Sequence, residues 1–124
     1  MLPPFKNEPL TNFTDPANKA AFEKALALVE SRFGEKIPLI VGGERIFTED
    51  TIKSTNPAAP DQVLAYVGKG SQELALKAID SAHKNFQWWR DYDPVARGRI
   101  LIRAAAILRR RKHEFSATMV LEIG

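Results

Sequence analysis

The chain has 124 residues, 44% hydrophobic and 27% charged, with a formal net charge of +3. That is one domain's worth of material with enough apolar content for a core. There is no cysteine and there are only two histidines, His83 and His113. Disulfides, thiolate metal sites and a cysteine nucleophile are therefore excluded, and no material remains for a multi-histidine metal centre. No apolar run approaches the ~18 residues of a membrane helix. Met1 to Lys6 lacks the basic-then-apolar order of a signal peptide, so a cytoplasmic location is the expectation.

Residues 1–14 carry three prolines among polar residues and little periodicity, and read as an extended arm. Asp15-Pro16 then supplies a cap and a first-turn proline. Phe22, Ala25, Leu26, Val29 and Phe33 fall on one face of the helix that follows, and Gly34 stops it. Ile37 to Ile46 reads as a β-hairpin turning at Gly42-Gly43. A short strand is expected over Ile52–Thr55, broken by Asn56-Pro57. Another is expected over Gln62–Val67, where Val63, Ala65 and Val67 alternate, ending at Gly68 and Gly70.

Ser71 caps a second helix with Ala75, Ala78, Ile79, Ala82, Phe86 and Trp89 on one face, and Asp80 and Lys84 form an i,i+4 pair on the other. Asp93-Pro94 repeats the cap-and-proline signal. The third helix it opens should bury Ile100, Leu101, Ala104, Ala105, Ile107 and Leu108. A fourth helical stretch runs from about His113 to Glu122 and reaches Gly124 as its terminal glycine. These helices are long for so little sheet. Their apolar faces call for covering structure beyond these residues.

The charge is uneven: residues 1–62 carry 7 Lys/Arg and 9 Asp/Glu, residues 63–124 carry 11 and 6. Arg109-Arg110-Arg111-Lys112 is the obvious basic run. Four consecutive helical residues point in four directions, so the run makes no stripe, although Arg99, Arg103 and Arg110 share one. A solvated helix face with end charges favoured by the dipole accounts for it better than nucleic-acid binding. Gly68-Lys69-Gly70-Ser71 has strand-to-helix context but no third glycine, and reads as a capped turn rather than a phosphate loop. Neither histidine has a carboxylate or serine at a useful spacing, and Trp88-Trp89 reads as a core anchor. Glu122 stands apart. It shares a helical face with Phe115 and Met119, where a carboxylate needs a partner: an arginine, backbone N–H groups or a cation.

The order of these pieces resembles the opening of the aldehyde dehydrogenase superfamily. The resemblance rests on Leu39-Ile40-Val41-Gly42-Gly43-Glu44, Asn56-Pro57-Ala58 and Val63 to Val67. It rests further on the alanine-rich helix ending Phe86-Gln87-Trp88-Trp89, on Arg97-x-Arg99 leading to Leu101, Ala104, Ala105 and Leu108, and on Leu121-Glu122-Ile123-Gly124. The arm and first helix, with Arg103 to Phe115, are similar to the 1-pyrroline-5-carboxylate (L-glutamate γ-semialdehyde) dehydrogenase branch.

The resemblance implies an α/β fold. The segment would be mostly helical, with a short hairpin and one or two further strands, and residues 15–124 would form the amino-terminal portion of the NAD(P)-binding domain. It implies NAD or NADP, oxidation of an aldehyde to an acid in proline or arginine breakdown, and catalytic residues lying elsewhere, none of them here. The implied partners are the remainder of the enzyme chain, a small-molecule aldehyde and further copies in a homo-oligomer, with neither nucleic acid nor membrane. Some members bind a monovalent cation, which would use Glu122 with a main-chain oxygen of Ser54 or Thr55; Glu122 and Thr55 are the candidate metal residues. The competing reading is a stand-alone basic helical interaction module; a piece that binds the cofactor alone is a third.

Overall fold

A computed structural model describes residues 4–124; the first three residues of the expected arm lie outside it. In chain order it contains α1 (Pro16–Glu30), β1 (Glu35–Ile37), β2 (Leu39–Val41), β3 (Glu44–Ile46), β4 (Thr51–Asn56), β5 (Ala59–Gly68), α2 (Gln72–Asp91), α3 (Pro94–Arg110) and α4 (Lys112–Ile123). Residues 4–14 form no helix or strand.

The helix starts follow the local chemistry. Asp15 accepts the Ala17 N–H at 2.9 Å, Ser71 accepts that of Leu74 at 3.2 Å, and Asp93 accepts those of Val95 and Ala96 at 3.2 and 3.1 Å. Each cap satisfies amides that the first turn leaves without a partner. Gly34 donates to the carbonyls of Val63 and Leu64 at 3.0 and 3.1 Å, so the turn leaving α1 docks directly onto β5. α1 ends at Glu30, earlier than the apolar spacing suggested, and Phe33 belongs to that turn.

β5 is the centre of a three-stranded sheet. β1 pairs with it in parallel (Glu35 opposite Ala65, Ile37 opposite Val67), and β4 pairs with it antiparallel (Thr51 opposite Gly68, Ser54 opposite Ala65). The register slips on either side of Thr55, a bulge of the kind that re-aims a strand near its end. The ladder closes at Asn56, which is buried, accepts the Ala58 N–H at 2.9 Å and donates to Gln62 Oε1 at 3.0 Å. These bonds hold the Asn56-Pro57 turn.

The expected hairpin over Ile37–Ile46 is shorter than the pattern suggested. β2 and β3 pair as a separate two-stranded sheet over Leu39–Ile46, while Ile37 lies in β1 against β5. Pro38, buried between the two, cannot donate to a ladder and separates them. With β1 included, three strands lie outside the hairpin, and β5 is ten residues long, more sheet than the one or two short strands expected.

Packing divides the molecule in two. α1 lies against α4, and α4 against β4. The expected face of α1 is the covered one, with Ala25 buried and Phe22, Leu26 and Val29 half-buried. Ala117 of α4 has no exposed surface. α2 and α3 differ. Neither buries a residue: α2 rests on β2 and α3 on α4. Of the six positions expected to be buried in α3, only Ala105 is half-covered, and Leu101 is 72% exposed. The face of α2 turned inward runs through Leu74, Ala78 and Ser81, leaving Ile79 and Phe86 in solvent. Periodicity identified apolar stripes that nothing in these residues covers. The chain exposes 10123 Å², against about 6,700 Å² for a compact monomer of 13.9 kDa by the usual mass scaling.

The hairpin turn uses φ of +59° at Gly42 and +85° at Gly43, and a Cβ on Gly42 would stand 3.0 Å from the Ser81 hydroxyl of α2. Gly42→Ala therefore adds a steric conflict with α2 to the left-handed strain that Gly43→Ala carries alone. Gly43→Ala should lower stability by roughly 1–2 kcal/mol, and Gly42→Ala by more. Urea unfolding of the two variants checks the order.

Candidate functional site

The polar groups of the chain converge where α1, the sheet and α4 meet. Glu114, in the first turn of α4, receives Arg111 Nη2 and Nε at 2.6 and 2.8 Å and Arg32 Nη1 at 2.6 Å. The two guanidiniums, Arg111 first and Arg32 second, hold the Glu114 carboxyl far below its ordinary 4.5, at about 2. The Arg111 guanidinium is raised by the same contact and also lies over the Phe115 ring, 5.4 Å from its centroid. Arg32 follows α1, so this carboxylate ties the exit of α1 to the start of α4. The aromatic edge of Phe22 against His113, 6.2 Å between centroids, lies along the same contact.

From Arg32 a cleft of about 290 Å³ runs along the sheet towards the end of α4. Val29, Phe33, Leu64 and Val67 give it an apolar wall, and Arg32, Ser54, Thr118 and Glu122 supply polar groups. Ser54 Oγ donates to Glu122 Oε1 at 3.0 Å. This contact exists because α4 ends against the β4–β5 turn: a Cβ on Gly124 would meet the Pro57 ring at 3.7 Å.

The partner that Glu122 required is thus the Ser54 hydroxyl, and the carboxylate is exposed rather than sunk in an apolar face. Thr55, the other candidate metal residue, is the next residue of β4 and sits at the bulge, half-buried. Among the described residues there is no group of three or more His, Cys, Asp or Glu that could hold a metal ion.

The other sequence candidates are used elsewhere. Arg109 Nε and Lys112 Nζ reach Glu8 at 3.3 and 3.4 Å, and Arg111 is committed to Glu114. Most of the basic run is therefore engaged within the chain. In the turn before α2, the Lys69 N–H is taken by the Asp50 carbonyl and the Thr48 hydroxyl, at 3.0 and 3.1 Å, and Lys69 Nζ pairs with Asp50 at 2.9 Å. That turn is a capped connection, not an amide cradle for phosphate. Trp88 and Trp89 stay largely exposed, clustered with Tyr92, and Arg97 lies 5.9 Å from the Trp89 ring centroid. They are not core anchors within these residues.

Sequence reasoning did not single out Arg32, Glu114 or Glu8. The Arg111–Glu114 half had a local signal, the i,i+3 spacing in a first turn. Arg32 and Glu8 had none, since their partners lie 82 and about 100 residues away.

A carboxyl held below its ordinary value stabilises the fold in full above about pH 4.5, and that contribution is lost as pH falls towards 2. The urea midpoint of the chain should therefore decline between these pH values. Glu114→Gln should lower the midpoint at neutral pH and flatten the decline. An equally steep acid limb in the variant would show that other carboxylates control it.

The aldehyde dehydrogenase family profile matches residues 44–124. Over all 124 residues the chain is 56% identical to 1-pyrroline-5-carboxylate dehydrogenase 1 of Halalkalibacterium halodurans and 54% identical to the 1-pyrroline-5-carboxylate dehydrogenase of a Geobacillus species, in each case spanning 24% of that protein. The chain thus spans about a quarter of the length of these curated relatives. The crystal structure of 1-pyrroline-5-carboxylate dehydrogenase from Thermus with bound NAD superposes on 97% of this chain, and on 23% of its own, with a TM-score of 0.94 at 38% identity. The family match spans most of the chain and the superposition reaches beyond it, through α1 and the first strands: this chain belongs to the aldehyde dehydrogenase family.

Proposed function

We propose that these residues are the amino-terminal segment of an NAD(P)-dependent dehydrogenase that oxidises L-glutamate γ-semialdehyde, the open form of 1-pyrroline-5-carboxylate, to L-glutamate. The observation that carries this reading is the identity above 50% along the whole chain to relatives bearing that name. Within that enzyme the segment scaffolds the amino-terminal side of the cofactor domain, with residues 1–14 as an arm. The surface supports this role. About 3,400 Å² beyond what a compact monomer of this mass exposes exceeds the roughly 1,000–2,500 Å² that one side of an obligate interface buries, and the open faces of α2 and α3 contribute to it.

Aldehyde oxidation in this family proceeds through a cysteine thiolate, and these residues include no cysteine. The segment's part is to hold the cofactor domain, not to attack the aldehyde. Incubated alone with glutamate semialdehyde and NAD or NADP, residues 1–124 should give no reduced nicotinamide. Grafted in place of the matching quarter of the Halalkalibacterium halodurans relative, they should give a chimera with kcat/KM within about tenfold of the parent, a loss of about 1.4 kcal/mol or less in transition-state stabilisation. A soluble chimera with no activity, or one preferring another aldehyde, would overturn the assignment.

Glu122 with a main-chain oxygen of Ser54 or Thr55 is the proposed cation site of the complete enzyme. Support comes from the meeting of Ser54 and Glu122 at the cleft end. One carboxylate with neutral oxygens suits a weakly held hard monovalent ion better than a multi-carboxylate divalent centre. In the chimera, Glu122→Gln should weaken the activation of turnover by potassium or sodium at least several-fold. A cation response identical to that of the parent would remove Glu122 from the site.

A further inference from the structure

The arm crosses α3 and α4 at a single point. Glu8 accepts from Arg109 Nε at 3.3 Å and from Lys112 Nζ at 3.4 Å, and the same Nζ donates to the Pro9 carbonyl at 3.1 Å. Among the described residues these are the hydrogen bonds and ion pairs that join residues 4–14 to α3 and α4. The apolar side chains flanking the pin do not seat themselves: Phe5 is 88% exposed and Leu10 99% exposed. Beneath the arm lies a groove of about 380 Å³, with Phe5 and Glu8 on one side and Leu108, Phe115 and Met119 on the other. Burial does not hold the arm over this groove; one carboxylate between two cations does, with the Lys112 bond to the Pro9 carbonyl beside it.

We propose that residues 5–9 form an ionic strap, latched at Glu8 and released by salt, that covers the groove at the α3–α4 corner. An exposed pair of this kind is screened strongly by salt, because the Debye length falls from about 10 Å at 0.1 M to about 3 Å at 1 M. Both cations act on the same carboxylate, so one substitution at Glu8 removes both ion pairs and leaves only the Lys112 bond to the Pro9 carbonyl. Release detaches residues 5–9 from the groove wall at Leu108 and Met119, side chains that are already half open to solvent. Because α3 and α4 hold both cations, the strap also reports whether those two helices keep their mutual placement.

Lys6 lies inside the strap, so tryptic cleavage after Lys6 reports release, while cleavage after Lys24, within α1, reports unfolding of the body. The measurement is made on the intact protein, with the two cuts followed by mass spectrometry. Moving from 0.05 to 1 M sodium chloride should raise the Lys6 cut roughly fivefold and leave the Lys24 cut unchanged. Glu8→Gln should give the raised rate already at low salt and lose the salt response, and the pair Arg109→Gln with Lys112→Gln should do the same. A Glu8→Gln rate equal to wild type overturns the strap. So does a rise in both cuts together, because the arm would then not release independently of the body.

Discussion

The contact between α1 and α4 carries the rest of this structure. Each helix buries one alanine, Ala25 and Ala117, and the small side chains let the backbones approach. Glu114 then fixes the pair at its polar edge, bonded at once to Arg32 beyond α1 and to Arg111 at the start of α4. With α4 placed, its far end meets the Asn56-Pro57 turn and Glu122 reaches Ser54. With the exit of α1 placed, Gly34 bonds to Val63 and Leu64 and β1 enters the sheet beside β5. The cleft between these elements follows from one helix pair seated on one central strand.

The other half of the chain obeys a different constraint. α2 and α3 are capped and amphipathic, so each forms as a helix on local grounds. Their apolar faces have no counterpart in these residues. Leu101, Ile79, Phe86 and Trp88 stand in solvent, an arrangement that an isolated domain of this size would avoid. These faces are the surfaces that the remainder of the proposed enzyme would cover; the relatives are about four times as long as this chain.

Several signals that act over a few residues match the structure. The caps at Asp15, Ser71 and Asp93, the Gly42-Gly43 turn and the break at Asn56-Pro57 each carry their own physical cause. The α1 face was legible too, because its covering helix lies in the same chain. What the sequence could not show is which apolar stripe has a partner. Ala105 and Leu101 sit in the same helix and the same pattern, yet only the first is half-covered. Strand pairing was hidden for the same reason. Ile37 looks like the start of the hairpin, but it aligns with Val67, thirty residues on. At the site, Glu122 was marked by its place on an apolar helix face, although the carboxylate itself is exposed. Its partner was not marked: the candidates were an arginine, backbone N–H groups or a cation, and Ser54 and Thr55 entered only through the family resemblance as main-chain oxygens for that cation, whereas the structure supplies the Ser54 hydroxyl across 68 residues.

The separation of Arg32 from Glu114 by 82 residues also sets an order of events during synthesis. At about 5–20 residues per second, the partner of α1 emerges roughly 4–16 seconds after α1 itself. Through that interval the face bearing Phe22, Leu26 and Val29 has left the ribosome without α4 to cover it. Loop-closure entropy delays the pairing further. The α1 face is therefore open to chaperone capture or to clumping on a polysome during those seconds, and the arrival of α4 closes that window for α1.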